Sequence, residues 1–143
     1  MSLLHQIAIG TSMIILCVFF HVGGLVYLSH FLRDFWPVKS KRPKPLAVMG
    51  IVIGSMLIMI ALHSIEAWLW AGLYIYIGEF NQLSDALYFS IVTSTTLGYG
   101  DIVLSNSGRL LSGFESMGGL LLFGVTTAFL IDVIRYLMKE HFD

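Results

Sequence analysis

The sequence predicts an all-α membrane protein. Three transmembrane helices are expected, with a shorter re-entrant helix and an irregular loop between the second and third. Two observations carry this reading. Of the 143 residues, 57% are hydrophobic and 12% charged, with a mean hydropathy of +0.83, whereas a soluble domain has roughly a quarter of its residues charged. Three apolar runs are each long enough to cross a hydrocarbon core of about 30 Å, which takes about 20 helical residues.

The first run extends from about Leu3 to Phe31. It lacks a basic leader and an Ala-x-Ala-like cleavage site, and it is longer than the apolar core of a secretory signal. It therefore reads as a retained helix, within residues 1–32. Cys17 is the single cysteine, which excludes an intrachain disulfide and a cysteine-based zinc motif. Residues 33–45 form a loop holding Arg33, Lys39, Lys41, Arg42 and Lys44, five of the eight basic residues. Short basic loops stay in the cytoplasm. Pro37, Pro43 and Pro45 keep that loop from being helical and mark where the second helix starts. The N-terminus is then outside, and Arg135 and Lys139 place the C-terminus inside. The net charge of −1 gives no basis for a nucleic-acid partner.

The second and third runs are expected as helices over 46–77 and 109–138. Between them, Asp85 to Thr95 is apolar and aromatic (Ala86, Leu87, Tyr88, Phe89, Ile91, Val92) but too short to span. A segment of that length at membrane depth fits a re-entrant helix, over 84–95. Ser84 is the expected N-cap, and Asp85 suits the positive end of the helix dipole.

The next stretch is Thr95-Thr96-Leu97-Gly98-Tyr99-Gly100-Asp101. A bare cation in a low dielectric loses hydration worth of the order of 20 kcal/mol in the idealised Born picture. Stacked rings of backbone carbonyls replace that water without a fixed counter-charge that would trap the ion. Carbonyls that all point one way require alternate residues with backbone angles barred to ordinary side chains, and Gly98 and Gly100 supply that freedom. Thr96, Leu97 and Tyr99 are then free to turn their side chains outward, with the Thr96 hydroxyl closing the cavity end.

Thr95 to Asp101 resembles the signature of the tetrameric potassium channels, usually Thr-Thr-Val-Gly-Tyr-Gly-Asp; Leu97 at the Val position is the one departure. Asp85-Ala86-Leu87-Tyr88-Phe89-Ser90 resembles the pore-helix start of that family. Gly108-Arg109-Leu110, Gly119, Phe123-Gly124 and Thr127 match residue types of its bacterial inner helices. The resemblance covers about Leu46 to Arg135, a pore module expected over 46–138. The whole chain is similar to small bacterial members of the two-transmembrane ion-channel family, with one extra N-terminal helix. The resemblance implies a homotetramer in the lipid of the cell (inner) membrane. It also implies passive K+ conduction through a filter at 96–100, with potassium held at Thr96, Leu97, Gly98, Tyr99 and Gly100. It implies no organic cofactor, no catalytic residues and no enzyme activity.

The same resemblance assigns filter support to Thr95, Asp101, Tyr88, Phe89 and Val92. Asp101 is expected to bond to Tyr88, since Phe89 has no hydroxyl. Val92 stands where some potassium channels carry a glutamate, so the expected bracing is aromatic and apolar rather than a buried carboxyl. Gly119, preceded by Gly118, matches the family's inner-helix hinge; small residues there equally permit close helix packing. The alternative within the same fold is a non-selective cation channel. Such relatives usually alter the Tyr or the second Gly, and both are present here.

Ionisable residues in the spans are costly and point to function. His63 and Glu66 lie one turn apart, and Glu115 lies in the third span; together they form either a pH-sensing cluster that gates the pore or a static polar clasp. Asp132, about a turn past Thr127, forms either an acidic ring at the inner entrance or a pair with Arg135. His21, His30 and His63 could in principle ligate a haem, as in an electron-transfer subunit, but that leaves the Gly-Tyr-Gly stretch unused. Gly23 and Gly24 allow the first helix to approach the second closely. No span has Arg or Lys at every third position, so no voltage sensor is recognisable. Residues 139–143 leave no room for a ligand-binding domain. Gating is then expected at the helix bundle near Asp132, in the filter, or through an extrinsic regulator.

Overall fold

The computed structural model describes residues 1–35 and 45–138. These form four helices and, among the described residues, no strand: α1 (Leu3–Phe35), α2 (Pro45–Tyr76), α3 (Leu83–Ser94) and α4 (Arg109–Met138). α1, α2 and α4 are each long and apolar enough to cross a membrane. At 12 residues, α3 is about 18 Å long and cannot. The chain is an all-helical membrane protein. Most of the basic loop (Lys39, Lys41, Arg42 and Lys44, with Pro37 and Pro43) lies outside the described residues, as does Lys139.

Each helix boundary has a local cause. Pro45 opens α2, where its missing N–H is no loss. α2 stops at Gly78, whose φ of +78° is a backbone state that glycine reaches without strain. There the Gly78 N–H bonds to the Ile75 carbonyl at 3.1 Å and the Glu79 N–H to that of Tyr74 at 3.0 Å, closing the carbonyl end. Ser84 is not the cap of α3. Gln82 takes the extended backbone angles of a cap (φ −118°, ψ 134°), and its carbonyl accepts the Ala86 N–H, so Ser84 already lies inside the first turn. Asp85 sits in that turn, where the dipole favours an acid.

α1 and α4 run parallel, as their matched contacts show. Gln6 Oε1 accepts the Leu110 N–H; further along, Gly10 faces the Phe114 ring, Gly118 faces Ile14, and His21 meets Thr126. α2 is antiparallel to α1, with Glu66 against His21 and Leu62 against Gly24. Gly24 therefore does seat a neighbour: a methyl group there would come 2.6 Å from Leu62 Cδ2. Gly23 faces nothing within 4 Å. α3 is inserted between α2 and α4, against Trp70, Ala71, Tyr74 and Leu111 of the buried core.

Candidate functional site

The segment after α3 carries the site. Thr95 caps the helix and ties its hydroxyl to the Ile91 carbonyl at 2.7 Å. The next three N–H groups fold back on the same turn: Thr96 to Thr93 O (2.9 Å), Leu97 to Val92 O (3.0 Å) and Gly98 to Val92 O (3.2 Å). Val92 thus holds the start of the strand through its main chain, while its side chain is buried. Beyond this anchor the backbone alternates. Thr96, Gly98 and Gly100 all have positive φ (59°, 56° and 75°), and Leu97 and Tyr99 between them do not. A strand whose alternate residues are left-handed turns successive peptide planes the same way, so its carbonyls line one side.

The two glycines accept that conformation freely. Thr96 does not: a β-branched residue at positive φ is a true outlier, and such strain is of the order of 1–3 kcal/mol. Its place in the alternation was not legible from its residue type. Leu97 and Tyr99 do not wedge against their own chain; they are 55% and 67% exposed on the single protomer.

The loop's outer end is held by Asp101. Tyr88 donates to its carboxylate at 2.7 Å, and the Ile102 N–H donates to its other oxygen at 3.0 Å. The Tyr88 bond holds the Asp101 pKa below its ordinary value and raises that of the tyrosine. Phe89 is buried, with its ring edge-to-face on Tyr74 at 5.3 Å. Glu79 binds the Ser105 N–H and hydroxyl, both at 2.8 Å, and so fixes the loop before α4.

Two buried polar groups correct the sequence reading. First, a buried carboxyl does brace the re-entrant helix. It comes from α4: Glu115, fully buried, accepts from Tyr74 Oη of α2 at 2.6 Å and from Ser90 Oγ of α3. Val92 lacks a carboxyl, but Glu115 reaches the same helix from the opposite side. Second, Glu115 does not join His63 and Glu66. That cluster closes instead on α1 and on the inner part of α4. His21 Nδ1 and His63 Nδ1 bond to the two oxygens of Glu66 (2.6 and 2.9 Å), and both Nε2 atoms bond to Thr126 Oγ1 (2.9 Å each). His30 is exposed and takes no part.

These four contacts form a closed ring, and each needs one hydrogen. Two neutral imidazoles and the threonine hydroxyl supply three, and an ionised carboxylate supplies none. Which nitrogen of each histidine donates depends on its tautomer. His21 Nδ1, His63 Nδ1 and Glu66 together are also the one set of side chains among the described residues whose ligand atoms converge enough to hold a metal ion.

The C-terminal part of α4 shows less. Thr127 bonds back to the Phe123 carbonyl at 2.8 Å, so the adjacent Thr126 is the threonine that reaches the histidines. Asp132 and Arg135 are both exposed and make no ion pair with each other. Gly119 lies against α3, where an added methyl group would stand 2.2 Å from the Ser94 carbonyl oxygen; Gly118 faces Ile14. Both positions thus serve close packing, Gly118 against α1 and Gly119 against α3.

Residues 62–136 match the Ion channel family. A two pore potassium channel a of Oryza sativa subsp. japonica is 42% identical over 62 residues, 42% of this chain and 17% of that protein. The chain thus spans about a sixth of that relative's length. No solved structure gives a significant match. The family match covers more than half of the 143 residues and takes in α3, the glycine-rich loop and nearly all of α4; the chain belongs to the Ion channel family.

Proposed function

We propose that this chain is the subunit of a homotetrameric, potassium-selective channel, with residues 96–100 as its filter. The observation that carries the reading is the alternation of left-handed backbone at Thr96, Gly98 and Gly100 directly after a helix too short to span. Four such strands around an axis line a path with carbonyl oxygens at Thr96, Leu97, Gly98 and Tyr99, which replace the water of a dehydrated cation. A single chain closes no ring. The exposure of Leu97 and Tyr99 fits side chains that pack on a neighbouring copy. Similarity to a potassium channel over 62 residues supports the choice of ion.

Asp101, Tyr88, Phe89, Val92 and Thr95 hold the filter in register, and Glu115 adds a brace behind it. The basic loop faces the cytoplasm, so Asp101 stands at the outer mouth and the N-terminus is outside. Asp132, free of an ion pair with Arg135, contributes an acidic ring at the inner entrance. Gly118 and Gly119 remain the place where α4 can bend, though their first role is packing. Potassium flux into liposomes holding the purified chain tests the reading. An alanine at Gly98 would have to adopt φ +56°, a left-handed state costing about 1–2 kcal/mol, so Gly98→Ala should abolish the flux. Flux that survives this substitution would sink the assignment of the filter.

A further inference from the structure

The ring of His21, His63, Glu66 and Thr126 ties three membrane-spanning helices together, and ion conduction does not account for it. We propose that His21, His63 and Glu66 form a zinc site that fastens α1 to the pore-forming helices, with Thr126 as its supporting hydrogen-bond acceptor.

The donors fit zinc. Two imidazoles and one carboxylate suit a borderline cation with no directional preference of its own, and three protein ligands with an open fourth position are a known zinc arrangement. The hard cations Mg2+ and Ca2+ prefer oxygen alone. The ligand atoms lie within 4.8 Å of one another. Tetrahedral bonds of about 2.0–2.1 Å place ligand atoms about 3.3 Å apart. The present contacts of 2.6 and 2.9 Å need only a small retreat of the Glu66 carboxylate to admit the ion.

The second layer is already in place. A histidine that ligates through one nitrogen donates its other N–H to a fixed acceptor, which sets its tautomer. With zinc on both Nδ1 atoms, both Nε2–H groups point at Thr126 Oγ1, 2.9 Å away in each case. The Thr126 hydroxyl hydrogen is then released to its own helix, as Thr127 already bonds to the Phe123 carbonyl. Access exists too: a cavity of about 290 Å³ between α2, α3 and α4 is lined by both His63 and Glu66.

The test uses the full chain, purified in detergent, stripped with a chelator and titrated with ZnCl2. The expected result is one zinc per chain and a raised melting temperature. Thr126→Val keeps all three ligands and should weaken binding by roughly 10–100-fold, the usual effect of losing such a partner. His63→Asn should abolish it. If His63→Asn fails to assemble, the X-ray absorption spectrum of the zinc-loaded parent decides. Two imidazoles with oxygen support the site, and a shell without imidazole overturns it. Folded parent protein that takes up no stoichiometric zinc, or binding that His63→Asn leaves unchanged, also overturns it.

Discussion

Gly119→Ala separates packing from bending in the inner helix. The added methyl group would stand 2.2 Å from the Ser94 carbonyl oxygen and 2.9 Å from its carbonyl carbon. These are backbone atoms in the last turn of α3, the turn from which the filter strand hangs. An ordinary contact is about 3.4 Å, so α4 and α3 must part by about 1 Å, and in interiors packed as closely as a crystal a shift of that size is felt. Overpacking of this kind costs about 1–3 kcal/mol, offset by roughly 0.5–1 kcal/mol from replacing a mid-helix glycine. The net loss spans about 0–2.5 kcal/mol per chain, with a centre of about 1.3 kcal/mol. In the proposed four-chain channel the central value sums to roughly 5 kcal/mol if the sites add independently. Thermal dissociation of the assembled channel in detergent, paired with liposome flux, reads the effect. Gly118→Ala is the comparison: its methyl group meets a side-chain atom, Ile14 Cγ1, at 3.1 Å rather than backbone at 2.2 Å, and should cost less than Gly119→Ala. If Gly119→Ala melts at or above the parent while flux falls, the packing argument is wrong and a pure hinge is right.

Four further outcomes follow from the geometry. Glu115→Gln presents an amide N–H to one of two buried donors, Tyr74 Oη or Ser90 Oγ; it should cost about 1–3 kcal/mol in assembled-channel stability, measured by the same melting assay. Tyr88→Phe removes the bond that holds the Asp101 pKa down, and sustained current should decay faster in single-channel records. A carboxylate with a lowered folded-state pKa lends stability that is present above its unfolded value and is lost only as pH falls through the folded one. Outer pH between 8 and about 5, above the ordinary Asp value, should therefore leave the parent's filter contact intact. If Asp132 forms the proposed acidic ring, Asp132→Asn should lower outward single-channel current, with inward current changed less.

Much of this was legible because membrane-spanning helices are set by length and hydropathy, which are local properties. The 30-residue third span and the short re-entrant helix needed only those two measures, and Gly98 and Gly100 announced the unusual backbone. What escaped notice depends on register between distant segments. Glu66 reaches His21 across 45 residues, and His21 and His63 meet on Thr126 only because α1 and α2 both pack beside α4. An isolated glutamate at position 115 signalled a buried partner but could not name Tyr74 or Ser90. Gly10, unremarked in the sequence, makes room for the Phe114 ring; a methyl group there would stand 2.5 Å from it. Thr96 gave no sign at all, since a β-branched residue is the last expected at φ 59°.

Whether the strand from Thr96 to Gly100 selects potassium is read from reversal potentials of the purified chain in bilayers, with K+ on one side and Na+ on the other. A potassium-selective strand gives a reversal that follows the K+ gradient and is indifferent to Na+. A reversal near zero, with both ions carrying current, would rule that selectivity out.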